Sequence, residues 1–383
     1  MEAQLDEKRV SPLELFFDLV FVFAFTQVTS LMSDKPTWTG LGEGVLVLAA
    51  LWFCWAAYAW LTSAIDPDEG PARVVMFGCM AAMLLAALGV PGAFGDDGVL
   101  FGAAYLVVRV LHVVLYAEVT DDVDARDAIV RLAPTAILGP ALILAAGFLD
   151  GTAQVLLWIL ALTIDYAGPY VTGVEGFRIF PGHFAERFGL IVIIALGESI
   201  VAVGVGASGI ELDLPVLAAA VLGMAVAAAL WWTYFDVVAV VASRKLESID
   251  DRHERNKMAR DSYSYLHLPM IAGIVLVALG MKKTLGDVDE PLETVPAVAL
   301  CGGVALYLLA HVAFRLRNVR TWAKRRVVVA AAALVLIPAA TALDALPALA
   351  LVAGLLVALT TYEVIRFREP RARLRASLHG SSA

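Results

Sequence analysis

Apolar stretches of about 20 residues recur along the whole chain, separated by short polar loops, and this alternation restricts the fold more than any other sequence feature. A helix of about 20 apolar residues spans the hydrocarbon of a bilayer. Twelve such stretches are present, near 12 to 32, 42 to 62, 72 to 90, 99 to 117, 128 to 148, 153 to 171, 184 to 205, 215 to 241, 262 to 281, 296 to 314, 327 to 343 and 346 to 366. Only 17% of the 383 residues are charged and 60% are hydrophobic, whereas a soluble globule carries about a quarter charged residues. The expected fold class is an all-α integral membrane protein of about twelve transmembrane helices. The first stretch is long, bears acids and lacks a clear small-residue cleavage site, so it reads as a retained span and not as a signal peptide.

The distribution of Lys and Arg tests that segmentation, because alternate loops differ in basic residues when the crossings are real. With the N-terminus inside, 24 of the 28 basic residues fall on the inner side, leaving Lys35, Lys282 and Lys283 outside and Arg109 within a span. Both termini are therefore expected in the cytoplasm. The net charge of -9 comes from acidic loops, including Asp121-Asp122-Val123-Asp124 and residues 287 to 293, so no nucleic-acid partner is suggested. The basic C-terminal tail, 368 to 383, is expected to sit on anionic lipid. Cys54, Cys79 and Cys301 fall within spans and read as packing residues.

The two halves resemble each other. Glu14-Leu-Phe in span 1 matches Glu186-Arg-Phe in span 7, and Leu51-Trp52-Phe53 in span 2 matches Leu230-Trp231-Trp232 in span 8. Ala87-Leu88-Gly89 pairs with Ala278-Leu279-Gly280, Tyr105-Leu106 before Arg109 with Tyr307-Leu308 before His311, and Ala161-Leu162-Thr163 with Ala358-Leu359-Thr360. The order is kept at offsets drifting only from 172 to 202. The expected organisation is a tail over 1–11, a six-helix repeat over 12–172 and a second over 183–367. Six spans per repeat is an even number, so the repeats run parallel about an axis along the membrane normal.

Spans 1 and 7 also carry a family resemblance. Pro12-Leu-Glu-Leu-Phe-Phe-Asp-Leu-Val-Phe-Val-Phe, with Gln27 beyond it, and His183-Phe-Ala-Glu186-Arg187-Phe-Gly-Leu-Ile-Val-Ile-Ile-Ala-Leu-Gly197-Glu198-Ser199-Ile are similar to the bacterial low temperature requirement protein A family. The resemblance implies a bacterial inner-membrane protein linked by name to growth in the cold. It implies no particular reaction, substrate or catalytic residue.

An ionisable group inside a span costs roughly 2.5 to 3.5 kcal/mol on insertion scales, and is kept where it lines a cavity or meets a partner. Glu14 and Asp18 share one face of span 1 at a spacing of four. Ser11-Pro12-Leu13-Glu14 is a capping box, which suffices to explain Glu14 but not Asp18, one turn deeper. For Asp18 a buried ion pair and a functional role both stand. His183, Glu186 and Arg187 form a second helix-start cluster at the membrane face. Glu198 lies about 18 Å beyond Glu186 at 1.5 Å per residue, near the bilayer middle, where no cap explains it. Gly197, Gly204 and Gly206 beside it suit either a loosened helix around an ion or close helix packing.

Span 4 carries Tyr105, Arg109, His112 and Tyr116 as one polar stripe, and span 10 carries Tyr307, His311 and Arg315. Arg109 requires an anion or carboxylate nearby, expected among Glu14, Asp18, Glu186 and Glu198, as a static pair or as a gate. Tyr263 and His267 are expected in the same polar interior, while Asp165 and Asp236 near inner span ends are expected to be solvated. The candidate ion or substrate pathway is thus Asp18, Arg109, His112, Glu198, His267 and His311. No zinc, P-loop or paired-Cys motif is present, and Gly-Val-Gly-Ala-Ser-Gly at 204 to 209 follows no strand, so no metal or cofactor is expected. Translocation of a small solute or ion, proton-coupled through Glu198 and Asp18, is the leading reading, with the bilayer and that solute as partners. An intramembrane enzyme acting on a lipid or isoprenoid, with Glu198 and a histidine as acid and base, and a cold-response sensor or scaffold without flux are the alternatives.

Overall fold

Ser11 begins the first helix as the sequence requires. Its hydroxyl accepts the Glu14 N–H at 3.2 Å while the Glu14 carboxylate accepts the Ser11 N–H at 2.8 Å, a reciprocal cap on α1 (Pro12–Asp34). In the computed structural model, which describes residues 8–368, α1 is followed by α2 (Trp38–Ala64), α3 (Gly70–Leu88), α4 (Gly98–Val119), α5 (Val123–Ala146) and α6 (Gly151–Val171). The second half holds α7 (Pro181–Gly206), α8 (Leu214–Phe235), α9 (Val238–Glu247), α10 (Arg252–Met258), a π-helical turn (Ala259–Tyr265) and α11 (His267–Gly286). It ends with α12 (Thr294–Val319), α13 (Lys324–Val335), α14 (Ile337–Ala340) and α15 (Ala345–Arg366). Of the expected tails, residues 1–7 and 369–383 lie outside the described residues.

Eleven segments among the described residues are long and apolar enough to cross a membrane, with α8–α9 and α10–α11 each counted as one. Val74, Phe148, Val221 and Val335 are large apolar side chains left about 70% exposed, the outward face that a lipid solvent permits. The stretch 327 to 343 corrects one expectation, because it does not form a single span-length helix. Pro338 lacks an N–H and its ring crowds the preceding turn, so the helix divides into α13 and α14 around Leu336. The chain still traverses the bundle there. Pro291 and Asp344 form an antiparallel bridge, and the Leu346 N–H donates to the Val288 carbonyl at 3.1 Å, so the loops before α12 and before α15 share one face. Arg317 at the far end of α12 bonds Asp261 on the opposite face. The α13–α14 pair therefore makes the return passage, the twelfth.

Neighbour relations in the two halves run in parallel. In the first, α1 packs on α2 and α3, then α3 on α4, α4 on α5, α5 on α6, and α6 back on α2. In the second, α7 packs on α8 and α11, then α11 on α12, α12 on α13, α13 on α15, and α15 back on α8. The halves meet where α1 lies against α7, and α11 reaches across to α1 and α2. One close crossing is between α11 and α12. A Cβ on Gly273 would stand 2.7 Å from the Gly303 carbonyl oxygen, and one on Gly303 the same distance from that of Gly273. Small residues here let two backbones touch, the packing that helices in lipid rely on.

Candidate functional site

The spacing of four that joins Glu14 to Asp18 aims both acids at α7, where His183 and Arg187 are also four apart. Arg187 Nη1 donates to Glu14 Oε1 at 2.7 Å and to Thr62 Oγ1 at 3.1 Å, and its Nη2 donates to Asp18 Oδ1 at 2.7 Å. His183 Nε2 lies 3.0 Å from both Glu14 oxygens, and Trp55 Nε1 donates to Asp18 Oδ1 at 2.9 Å. All four charged side chains are buried. Two carboxylates thus share one guanidinium and one imidazole in the interior.

About 12 Å further along the seam, eight residues at 1.5 Å each, Thr26 Oγ1 donates to Glu198 Oε2 at 2.5 Å. Thr26 completes the stripe Glu14, Asp18, Val22, Thr26 on α1, and its distance of 172 residues from Glu198 is the same offset that relates Glu14 to Glu186. The intervening turns bury Phe21 and Phe25 of α1 and Ile191 and Ala195 of α7. The seam thus alternates a charged cluster, an apolar stretch and a single carboxylate.

A cavity of about 960 Å³ opens at the cluster end, lined by the chain before α1, the α4–α5 and α6–α7 loops, and residues around α10. His183 lines it as well as bonding Glu14, so the open cavity adjoins the buried cluster through this one residue. Its wall mixes Lys8, Arg178, Arg252 and Arg255 with Asp122, Glu186 and Glu247. Lys8 donates to the Thr62 and Ile65 carbonyls; burial lowers its pKa, with Glu14 acting the other way. Asp122, which desolvation alone would raise, is held below the usual carboxylate range by the Ala125 and Asp124 N–H groups and by Arg252.

The other expected pathway residues are dispersed, and two expectations are corrected. Arg109 meets none of Glu14, Asp18, Glu186 or Glu198; its Nη2 donates to Asp165 Oδ1 at 2.7 Å. Asp165 is accordingly 2% exposed and not solvated, because α6 packs beside α5 and α2 and presents it to the interior. His112 Nε2 donates to the Ala57 carbonyl at 3.0 Å. Tyr234 and His267 share a hydrogen bond of 2.8 Å, and His267 stacks on Tyr263 with ring centroids 5.3 Å apart. His311 Nδ1 accepts from Arg326, whose fork also grips Glu363 at 3.0 Å. Glu186 faces the cavity and is exposed. Asp165, Thr26, Arg326 and Glu363 carry weight that the sequence reading did not assign them; the unbroken spacing of four from Glu14 to Thr26 was the available signal for one. Among the described residues no group of three or more His, Cys, Asp or Glu is disposed to hold a metal ion.

The profile of the bacterial low temperature requirement A protein family (LtrA) matches residues 9–361. The chain belongs to this family. A Rhizobium meliloti (strain 1021) protein described as uncharacterized is 32% identical over 317 residues, covering 79% of this chain and 76% of that one. The two stretches that carried the LtrA resemblance, 12 to 27 and 183 to 200, are the facing helices α1 and α7. What joins these two segments of an LtrA chain is therefore a physical contact: the acids of one are neutralised by the base of the other.

Proposed function

We propose that this LtrA protein translocates a small solute or ion along the α1–α7 seam, with proton exchange at the Glu14–His183–Arg187–Asp18 cluster and at Glu198. The observation that carries the reading is an open cavity of about 960 Å³ adjoining a buried charged cluster, followed on the same seam by an isolated carboxylate. A static seam needs no charge there, since burying ions costs more than packing apolar groups of the same size. The cavity side is the cytoplasm in this reading, because the basic loops gather on it, and both ends of the chain face it. The halves are read as a duplication, 12–172 and 183–367, whose repeated neighbour order supports two bundles moving against each other at α1–α7. The protein's partners are the lipids of a bacterial inner membrane and the solute it moves.

The enzymatic alternative required Glu198 beside a histidine, whereas its hydrogen bond is to Thr26. Flux in proteoliposomes tests the proposal, with a panel of ions and small solutes and an internal pH dye, with and without an imposed pH gradient. Wild-type protein should move protons with one class of solute, and Glu198→Gln should abolish that coupling while keeping the thermal stability of the parent. Normal pH-dependent flux in Glu198→Gln removes Glu198 from the mechanism. Absence of flux for every solute favours the sensor or scaffold reading. Reporter fusions after Arg126 and after Asp287 should report opposite sides of the membrane.

A further inference from the structure

A second, separate cavity lies wholly to one side of the seam. It occupies about 60 Å³ between α2, α4, α5, α6 and the π-helical turn. That is well above the roughly 10 to 15 Å³ needed for one water, and far below the several hundred Å³ of a site for a drug-sized molecule. Arg109 lines it, and among the described residues its Nε and Nη1 have no hydrogen-bond partner although the side chain is 1% exposed. Asp165 engages Nη2 alone, so most of the five N–H donors of the guanidinium remain to be used. The Tyr116 hydroxyl, also fully buried, lines the same space and is likewise unpartnered. Arg260 lines it too, stacked on Tyr170 at 4.0 Å near the surface. No carboxylate lines the cavity among the described residues, and the rest of its wall is aromatic (Phe53, Trp60, Phe177 and Tyr265) and aliphatic, with His112 and Ser264 as its other polar side chains.

We propose that this cavity binds one small monovalent anion of halide or nitrate size, held by Arg109 Nε and Nη1 and by the Tyr116 hydroxyl. The unpartnered groups of Arg109 and Tyr116 are donors, and unmade donors in a low-dielectric interior are costly. An anion accepts from both kinds of donor at once, and its charge strengthens bonds that the guanidinium already assists. The apolar, aromatic wall excludes a strongly hydrated ion such as sulfate, and the volume excludes an organic phosphate or a lipid headgroup. His112 donates Nε2 to Ala57, which leaves Nδ1 as an acceptor, so the anion lies on the Arg109–Tyr116 side of the space. This site shares no residue with the α1–α7 cluster and does not rest on the transport reading.

The test is thermal unfolding of the purified full-length protein in detergent, with sodium gluconate replaced stepwise by nitrate, chloride or sulfate at constant ionic strength. A bound ion at free concentration L stabilises the native state by RT ln(1 + L/Kd). Nitrate and chloride should raise the midpoint along that curve, flat below the half-saturating concentration and rising logarithmically above it, and sulfate should not. Tyr116→Phe should keep the gluconate midpoint and raise the half-saturating nitrate concentration at least threefold. The paired change Arg109→Gln with Asp165→Asn, which strands no charge, should abolish the nitrate response. Equal responses to all anions, or an unchanged half-saturating concentration in Tyr116→Phe, would overturn the proposal and leave the cavity to water; should the paired variant fail to fold, Tyr116→Phe alone decides.

Discussion

Each half holds an arginine bonded to an acid of its own last helix, Arg109 to Asp165 of α6 and Arg326 to Glu363 of α15, yet the two are used in opposite ways. Arg326 spends its whole fork: Nε and Nη2 go to the two Glu363 oxygens at 3.0 Å, Nη1 to His311 at 3.2 Å, and Nη2 also to the Thr233 carbonyl at 3.1 Å. Arg109 makes one such bond. A guanidinium with all three nitrogens engaged clamps α8, α12, α13 and α15 together, whereas one with two nitrogens to spare holds only two helices. Burial alone does not distinguish a brace from a site; the number of unmade bonds does.

Four outcomes sharpen that contrast, and the first takes the seam as its reference. Arg187→Leu strands Glu14 and Asp18 together, so it should prevent accumulation of folded protein altogether, read as loss of the monodisperse peak in size-exclusion chromatography. Arg326→Leu should cost about 2 to 3 kcal/mol by leaving the part-buried Glu363 carboxylate unpaired, and Arg326→Leu with Glu363→Leu should recover most of the thermal midpoint. If the double change recovers nothing, Arg326 is not a brace. Ser11→Ala removes one side of the cap on α1 and should cost about 1 kcal/mol, a small, clean shift in midpoint with the seam intact. The smallest effect is at Asp122, outside the membrane. Its folded-state pKa is depressed, so its contribution is present above the unfolded value of about 3.9 and is lost as pH falls through the folded value. Asp122→Asn should therefore lower stability by a small, constant amount at neutral pH and flatten the acid limb of the profile; a difference from the parent that does not shrink as pH falls through the folded value would contradict the assignment.

The spans and the capping box were legible because they depend on spacing within one helix. The partner of Arg109 was not, because no pattern within span 4 says which other helix adjoins it. Asp165 was misplaced for a related reason: nearness to the end of its own span suggested solvent, but α6 turns that end inward against α2 and α5. The stretch 327 to 343 misled by averaging, since its hydropathy runs smoothly through Pro338 while its hydrogen bonding does not. Glu198 was recognised as unexplained by capping, and its companion Thr26 needed only the stripe on α1 to be carried two turns further.

The π-helical turn at Ala259–Tyr265 gives the ninth passage two independent aims. A π segment carries an extra residue relative to the α ladder, and each residue of an α-helix turns the chain by about 100°. The turn directs Ser264 to the first half, where its carbonyl and hydroxyl accept from Trp52 and Trp60 at 2.7 and 2.9 Å, while Gly273 beyond it remains seated on Gly303 in the second half. Deleting one residue there would restore a continuous α ladder and turn one of these faces away from its target by about a quarter of a revolution. The helix is thus a joint whose two ends answer to different bodies, and its surplus residue is what lets both be satisfied at once.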